Sequence, residues 1–366
     1  LTTHRLDIYD ESLAKSQFLA QFEVLFSKKN TDTSALQKLP TAYDYIRLGH
    51  PLSCVLEWSI AKLNNLKSEN VISFSPQTIP VLAILSTNLL AHKNTQILYT
   101  GTLPSFFDAD VLQRVYGYQF ELKQIENTTA IAQFDGSTVF IAQQNELSLF
   151  ELHKNCDFVI HNYGELGSVL AINGAQNNVY ISDIQHVRRR ETIAMTPANT
   201  LTALKRLIGH AASETKTTDY KANKTLVLET IQKITGTNTT PLVGSSGLSI
   251  QYAIMMGLVH DALDTHPGKA IKIIVPPNCY GGTNDQARRV AACLENVEVV
   301  DLLVDGAHDM VQSIELVLHA IAKEDAVSFI IAEIPTNPRV EVPDLLKLKA
   351  ALSATRKTES GKTAID

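Results

Sequence analysis

Apolar residues recur along the chain in two alternating patterns. In some segments they return every three or four positions, as on one face of a helix, and in others they form short runs, as in a buried strand. Helical spacing is found over residues 13–25, 52–66, 80–90 and 108–116, and strand-like runs at 71–74, 97–99, 120–125, 139–142 and 158–161. Strands that alternate with helices predict an α/β fold with a mostly parallel sheet whose faces are covered.

The second half of the chain repeats this alternation. Its predicted helices are 225–234, 249–263, 285–294, 310–322 and 345–354, and its predicted strands are 271–275, 297–303 and 327–334. Short stretches also match between the halves: the segment 54–57 (Cys-Val-Leu-Glu) is similar to 226–229 (Leu-Val-Leu-Glu), and 99–102 (Tyr-Thr-Gly-Thr) to 280–283 (Tyr-Gly-Gly-Thr). We interpret this as a tandem duplication with a junction near residue 210. The alternative is chance similarity between two α/β units. The predicted division is an N-terminal helical extension (1–40), a first copy (41–210) and a second copy (211–366).

Composition narrows the class of protein. The 366 residues are 45% hydrophobic and 19% charged, values typical of a globular protein rather than a disordered one. The formal net charge of −6 argues against a dedicated nucleic-acid binder. No apolar run reaches the ~18 residues of a membrane span, and the four cysteines form no CxxC pair that would suggest zinc or a disulfide framework. With no signal peptide in view, we expect a cytoplasmic protein that binds neither nucleic acid nor membrane.

Two turns in the second half carry candidate chemistry. The segment 244–248 (Gly-Ser-Ser-Gly-Leu) precedes an apolar helix, so backbone N–H groups and the helix dipole at Ser246, Gly247 and Leu248 could bind an anion, most often phosphate. An ordinary helix cap is the alternative. Tyr280 follows the strand 271–275, at the sheet edge where α/β proteins bind ligands, and its ring could stack on a flat group. The alternative for Tyr280 is a plain turn.

A third motif is the segment 332–338 (Ala-Glu-Ile-Pro-Thr-Asn-Pro), again at a strand end. Its two prolines restrict the backbone, which would hold Glu333 and Asn337 rigidly at the edge of the sheet. A structural turn is the alternative. Neither a GxGxxG nor a GxxxxGK[ST] motif is present, so the sequence has neither a dinucleotide fingerprint nor a P-loop.

Taken in order, these motifs resemble those of the pyridoxal-phosphate (PLP)-dependent Cys/Met metabolism, or transsulfuration, family, which includes cystathionine synthases and lyases and methionine γ-lyases. In the first half, residues 43–51 (Tyr-Asp-Tyr-Ile-Arg-Leu-Gly-His-Pro), followed by Leu56-Glu57, look like the family's Tyr-x-Arg opening. The resemblance covers residues 43–350. It implies an aminotransferase-like fold of type I, a three-layer α/β/α sandwich with a mostly parallel sheet.

The resemblance also implies roles for individual residues. Gly247 and Leu248, beside Ser246, would bind the cofactor phosphate, and Tyr280 would stack on its ring. Asn337 would lie near the ring hydroxyl, with Glu333 supporting that loop. In the family a Tyr-x-Arg pair reaches the phosphate from a neighbouring subunit, and here that pair is Tyr45 and Arg47. An arginine suits this role because its guanidinium is planar, bidentate and permanently charged.

Departures from the family pattern suggest that the two copies are complementary. In the first copy, Pro76 lies where the phosphate-binding turn is expected, and Glu165 takes the place of the Schiff-base lysine. The first copy is therefore predicted to be catalytically inactive. The second copy keeps the phosphate-binding turn, but its segment 217–225 has no arginine. We therefore hypothesise that the first copy lends Tyr45 and Arg47, so that one chain imitates a dimer; a homo-oligomer is also expected. The alternative is that this pair merely survives from ancestry.

The resemblance implies β- or γ-elimination or replacement on sulfur amino acids or homoserine derivatives. In the family the Schiff-base lysine and the aspartate that pairs with the pyridine nitrogen follow the Pro-Thr-Asn-Pro loop. We therefore expect both beyond Asp366, in a longer polypeptide. The alternatives are an inactive pseudoenzyme or scaffold with this fold, and a phosphate binder without catalysis. Other residues receive structural interpretations. Arg188, Arg189 and Arg190 are expected on a solvated helix face, with a phosphate or partner site as the alternative. His161 and His210 are expected to be structural histidines, and Cys279 an unreactive thiol.

Overall fold

A computed structural model of the chain describes residues 11–43, 45–104, 107–144, 147, 150, 152–210, 219–277, 279–303, 306–336 and 340–365. The chain forms two compact units: Leu1–Phe107 with Gln119–Ser246, and Asp108–Tyr118 with Gly247–Asp366. The copies predicted at 41–210 and 211–366 follow sequence similarity rather than compactness, and that division stays a prediction.

Helices and strands alternate through both units. The helices are α1 (Glu11–Ser27), α2 (Thr33–Gln37), α3 (Pro51–Leu63), α4 (Ile79–Leu90), α5 (Ala109–Arg114), α6 (Tyr180–Glu191), α7 (Pro197–Leu207), α8 (Tyr220–Thr235), α9 (Gly247–Thr265), α10 (Gly281–Ala292), α11 (Met310–Glu324) and α12 (Leu345–Leu352). The strands are β1 (Val71–Phe74), β2 (Thr95–Tyr99), β3 (Glu121–Gln124), β4 (Ser137–Gln143), β5 (Phe158–Asn162), β6 (Ser168–Ile172), β7 (Ile271–Val275), β8 (Val297–Asp301) and β9 (Val327–Ile330).

The first unit contains a six-stranded sheet in the order β1-β6-β5-β4-β2-β3. Strands β2, β3, β4 and β5 are parallel, and Ile97 lies opposite Leu122 on one side and Val139 on the other. The central strands are buried on both faces, which is typical of parallel strands covered by helices. One face packs against α3 and α7 through Leu56, Ile60 and Ala203, and Tyr180 of α6 packs on Phe158, which points to the other face, at 4.8 Å.

The predicted mostly parallel sheet is confirmed in this unit, and its antiparallel strand is β6, which the apolar pattern did not predict. Strand β6 is antiparallel to both of its neighbours, β5 and β1. The reason is the connection: only residues 163–167 join β5 to β6, too few for the crossover that a parallel pair needs. Gly167 makes the reversal with φ 120°, and a Cβ there would lie 2.2 Å from the Phe74 carbonyl oxygen.

The second unit contains a three-stranded parallel sheet in the order β8-β7-β9. Ile273 of β7 lies opposite Val299 on one side and Phe329 on the other. Helices α11 and α12 pack on this sheet through Ile314, Leu318 and other buried residues. The order repeats that of β3-β2-β4 in the first unit, where a central strand is likewise flanked by the two parallel strands that follow it in sequence.

Helix α8 differs from the other long helices because none of its described side chains is buried. Leu226 is 63% exposed, whereas Cys54, the residue it matches in the sequence comparison, is fully buried in α3. Among the described residues, no helix is long and apolar enough to cross a membrane. The three-layer arrangement predicted for the whole chain stays a prediction.

Candidate functional site

Two of the predicted motifs meet at the carboxyl edge of the second sheet. Strand β7 ends at Val275, and the chain turns through Tyr280 into α10, which begins at Gly281. The segment that follows β9 carries Glu333 to the same edge, because β7 and β9 are parallel neighbours. This edge is where open α/β sheets bind ligands.

The carboxylate of Glu333 holds the Tyr280 turn in place. Its Oε2 accepts the backbone N–H of Tyr280 at 3.0 Å, and its Oε1 accepts the hydroxyl of the buried Thr283 at 2.5 Å. A carboxylate is also stabilised at this position by the positive end of the α10 dipole. The sequence assigned Glu333 the support of its own loop, which stays a prediction; the described hydrogen bonds of Glu333 go to the neighbouring Tyr280 turn and to Thr283.

The third motif lies against the same turn. Leu248, in the first turn of α9, is buried, and its carbonyl oxygen accepts a hydrogen bond from Gln286 Nε2 of α10 at 3.0 Å. Gly282 fits between the two motifs: a Cβ there would lie 2.7 Å from Tyr280 Cε1 and 2.8 Å from Leu248 Cδ1. The structure therefore brings Tyr280, Leu248 and Glu333 close together, and the absence of a side chain at Gly282 leaves room for Tyr280 and Leu248 on either side of it.

The start of α9 is open to a ligand. A Cβ added at Gly247 would meet no atom within 4 Å, and Gly247 is exposed while Ser246 is half-buried. The first N–H groups of a helix have no intrahelical acceptor, and the helix dipole favours an anion there. Backbone donors beside an aromatic ring would fit a phosphate group carried on a planar ring. PLP is such a molecule.

Two further residues of these motifs can be placed only in part. Asn337, predicted near the ring hydroxyl, lies outside the described residues. Cys279 is buried, and burial together with the nearby negative charge of Glu333 raises the pKa of its thiol. A raised pKa disfavours the thiolate form, in agreement with the prediction of an unreactive cysteine.

Tyr45 and Arg47 lie in the first unit. The guanidinium carbon of Arg47 lies 4.7 Å from the centre of the Tyr45 ring, and that of Arg189, from α6, lies 5.5 Å from the same ring. The Arg47 carbonyl accepts the Ala194 N–H at 2.9 Å, which fixes this loop to the chain that follows α6. The cation–π contact with Arg189 was not predicted. That Tyr45 and Arg47 serve the second copy stays a prediction.

Hydrogen bonds join the turn around Pro76 to the loop around Glu165, where the sequence predicted the loss of a Schiff-base lysine. The side chain of Gln77 donates to the carbonyl of Gly164, next to Glu165, and Ser168 Oγ donates to the carbonyl of Pro76 at 2.7 Å. The turn around Pro76 and the loop around Glu165 therefore bind each other.

Arg188 corrects the prediction of a solvated helix face, because its side chain is fully buried. Its Nη1 donates to Glu57 Oε1 at 2.7 Å and to the Ser73 carbonyl at 3.0 Å. Lys15 Nζ donates to the other carboxylate oxygen of Glu57 at 2.6 Å, and the Ser73 N–H and hydroxyl both donate to Oε1 at 2.8 Å. We call Lys15, Glu57, Ser73 and Arg188 the buried ion cluster. A glutamate in the middle of a mostly apolar helix was the available sequence signal.

The described part of the chain offers no metal site, since no three His, Cys, Asp or Glu side chains come together there. His161 is buried against Phe150, with ring centres 4.1 Å apart. Burial lowers the pKa of His161 to about 4, so the ring stays neutral at physiological pH. It is a packed structural histidine, as predicted.

Comparisons with known proteins give limited similarity. No family model and no curated protein matches the chain. Among solved structures, cystathionine gamma-lyase from yeast is 13% identical with a TM-score of 0.33, covering 46% of this chain and 53% of that one. The metB structure from Corynebacterium glutamicum is 13% identical with a TM-score of 0.30, covering 46% of this chain and 55% of that one. The aminotransferase TlmJ from Streptoalloteichus hindustanus is 10% identical with a TM-score of 0.25, covering 68% of this chain and 80% of that one. The chain thus spans about half the length of the first two.

Proposed function

We propose that this chain binds PLP in its second unit and belongs to an enzyme of sulfur amino-acid or homoserine metabolism that catalyses β- or γ-elimination or replacement. The observation that carries the proposal is the meeting of three motifs in one place, where Glu333 bonds the Tyr280 turn and where the Tyr280 ring and the Leu248 side chain both lie beside Gly282. The family resemblance of those motifs supplies the reaction class.

Each residue then has a task that follows from its position. The N–H groups at Gly247 and Leu248 bind the phosphate, helped by the α9 dipole. The Tyr280 ring orients the cofactor ring, and Glu333 keeps the tyrosine in place through its backbone N–H. When bound, PLP withdraws electrons from the substrate Cα and so stabilises the carbanion formed there. We assign cofactor binding to this chain and leave the catalytic lysine unassigned.

The repeated strand order supports the pseudo-dimer hypothesis. We propose that Tyr45 and Arg47 serve the cofactor phosphate in the way that the Tyr-x-Arg pair of the family does. Arg47→Ala should then weaken binding by about tenfold or more, the usual cost of a charge-assisted bond.

The proposal is tested by titrating the full chain with PLP and following the absorption spectrum of the cofactor together with equilibrium dialysis. Gly282→Val places a side chain on Leu248 and the Tyr280 ring, so binding should fall at least tenfold. The matched control is Gly257→Val, also a helix position, where a Cβ would meet no atom within 4 Å. Equal binding by both variants, or no saturable binding by the native chain, would refute the proposal. Borohydride treatment of the complex then shows whether any lysine of the chain bonds covalently to the cofactor.

The second candidate, a non-catalytic scaffold, is favoured by one observation. In the first unit, the hydrogen bonds from Gln77 and Ser168 close the region where the cofactor would lie. A scaffold would fold normally, bind no PLP and show no change in the titration above. Binding without turnover of cystathionine would identify the third possibility, a phosphate binder.

A further inference from the structure

We propose that Gln251 is a positioning residue of the cofactor site, and that its side-chain amide turns its nitrogen toward the hydroxyl of Thr283. Its effect on PLP rests on the proposed function, whereas its contacts within the second unit do not. Gln251 lies in the second turn of α9, and the buried Thr283 lies in the first turn of α10. The two side chains meet with 3.2 Å between Gln251 Oε1 and Thr283 Oγ1.

The hydroxyl of Thr283 has two acceptors and a single proton. It lies 2.5 Å from Glu333 Oε1 and 3.2 Å from Gln251 Oε1. The shorter distance is typical of a hydroxyl that donates to a carboxylate, which is a stronger bond than one to a neutral acceptor. The longer distance exceeds the range of roughly 2.5–3.0 Å for an O–H···O bond. The proton therefore goes to Glu333, and two oxygens would face each other at the Gln251 contact with no proton between them.

Reversal of the Gln251 amide removes this conflict. The two ends of an amide have nearly the same shape, so the hydrogen-bond network decides which end faces a neighbour. With Nε2 toward Thr283, the amide donates to the hydroxyl oxygen, and 3.2 Å falls within the range of about 2.7–3.2 Å for N–H···O bonds. The reversal also accounts for a second observation. In the opposite orientation Nε2 is buried without a hydrogen-bond partner among the described residues, and a buried N–H without an acceptor is rarer than an underused carbonyl.

The hydrogen bonds then form one directed chain. Gln251 donates to Thr283, and Thr283 donates to Glu333 Oε1. Glu333 Oε2 accepts the backbone N–H of Tyr280 at 3.0 Å. Bonds in such a chain polarise one another, so a hydroxyl that accepts a bond donates more strongly. Gln251 thus acts on the Tyr280 turn through Thr283 and links it to α9, the helix whose start is assigned to the phosphate.

The chain is tested by PLP titration and by hydrogen exchange of the Tyr280 amide. Gln251→Met keeps the size of the side chain but removes its donor, and Thr283→Val removes the hydroxyl. Each should speed the exchange of the Tyr280 N–H and weaken PLP binding, by about fivefold for Gln251→Met and about tenfold for Thr283→Val. Thr283→Ser keeps the hydroxyl and should stay within about twofold of the native chain. The control Thr265→Val removes a hydroxyl that bonds the Asp261 carbonyl near the other end of α9, and it should change neither quantity.

The pH dependence of Gln251→Glu separates donation from packing. When protonated, the introduced carboxyl donates to Thr283 as the amide does. When ionised, it is a further acceptor, separated from the Glu333 carboxylate by a single hydroxyl. That negative charge raises the pKa of the introduced group. The deficit in PLP binding, measured against the native chain at each pH, should therefore be largest near about pH 8 and shrink toward about pH 5. A deficit that does not change with pH would overturn the donor role.

Hydrogen exchange separates this proposal from the proposed function, because it needs no cofactor. Faster Tyr280 exchange in Gln251→Met, with no PLP binding by the native chain, would support the direction of the Thr283 bonds and refute the proposed function. PLP binding by the native chain that is unchanged in Gln251→Met would overturn the positioning role and leave the proposed function standing. Weaker binding and faster exchange in Gln251→Met and Thr283→Val, with Thr283→Ser and Thr265→Val near native, would support both.

Discussion

The stability of the first unit should depend strongly on the carboxylate of Glu57. Burial alone would raise the pKa of this group, but Lys15, Arg188 and the hydrogen bonds of the cluster lower it from 4.5 to about 2. At about 1.4 kcal/mol per pH unit, this corresponds to about 3 kcal/mol of stability at neutral pH. Glu57→Gln also leaves two buried cations without an anion, and removal of one partner from a buried pair usually costs about 3–5 kcal/mol. We therefore expect the free energy of unfolding to fall by about 3–5 kcal/mol.

Trp58 gives a direct assay. It is the only tryptophan of the sequence, is 8% exposed and is adjacent to Glu57 in α3. Its fluorescence during guanidinium unfolding reports on the first unit. Glu229→Gln is the matched control, because Glu229 is the exposed counterpart of Glu57 in α8, and it should change stability by less than about 0.5 kcal/mol. A loss below about 1 kcal/mol in Glu57→Gln would refute the reasoning.

The dependence on pH provides a second test. Because the pKa of Glu57 is lower in the folded than in the unfolded chain, its contribution is complete above the unfolded value of 4.5. The contribution is lost as the pH falls through about 2. The difference between the native chain and Glu57→Gln should therefore shrink from pH 5 downwards. A difference that stays constant to pH 2 would mean that the carboxylate charge is not the cause. Replacement of Lys15, Glu57 and Arg188 together by apolar residues should cost less than Glu57→Gln alone.

Two further substitutions test local backbone features. Gly167→Ala puts a Cβ 2.2 Å from the Phe74 carbonyl oxygen at φ 120°, so the free energy of unfolding followed by Trp58 should fall by about 3 kcal/mol or more. The control Gly101→Ala, with φ 66° and open space around it, should lower the free energy of unfolding by about 1 kcal/mol. Equal losses in the two variants would contradict the clash. Asp309→Ala removes the side chain that caps α11 by accepting the Gln312 N–H at 2.9 Å. The free energy of opening measured by hydrogen exchange in the first turns of that helix should fall by about 1 kcal/mol. Unchanged exchange would exclude a role for the cap.

Local patterns predicted most of the secondary structure because each element carries its own apolar signal. The strand predicted at 71–74 and the strand predicted at 271–275 are confirmed residue for residue. The predicted helix at 310–322 is also confirmed and extends to Glu324. Strand β6 was missed because it is buried on both faces, and such a run has no periodicity that distinguishes it from a short buried helix.

Each loop of the candidate site could be predicted from its own sequence motif. The hydrogen bonds that hold the loops together could not. Strand ends of a parallel sheet share an edge, which indicated that Tyr280 and Glu333 lie together, and the family resemblance of the three motifs added Leu248. The hydrogen bonds from the Tyr280 N–H and Thr283 to Glu333 depend on the register between β7 and β9, which no single segment encodes. Arg188 shows the same limit, since its burial depends on a glutamate 131 residues away.

That separation has a consequence for synthesis on the ribosome. Glu57 and Arg188 are 131 residues apart in sequence, and at about 5–20 residues per second the arginine emerges roughly 7–26 s after the glutamate. Two cations pair with Glu57, and during that interval only Lys15, 42 residues before Glu57, has been synthesised. The Glu57 carboxylate of α3 therefore lacks its Arg188 partner until α6 has been synthesised. A nascent chain stalled before residue 188 should be more easily digested by protease than one stalled well beyond it, even though α1, α3 and β1 are complete in both.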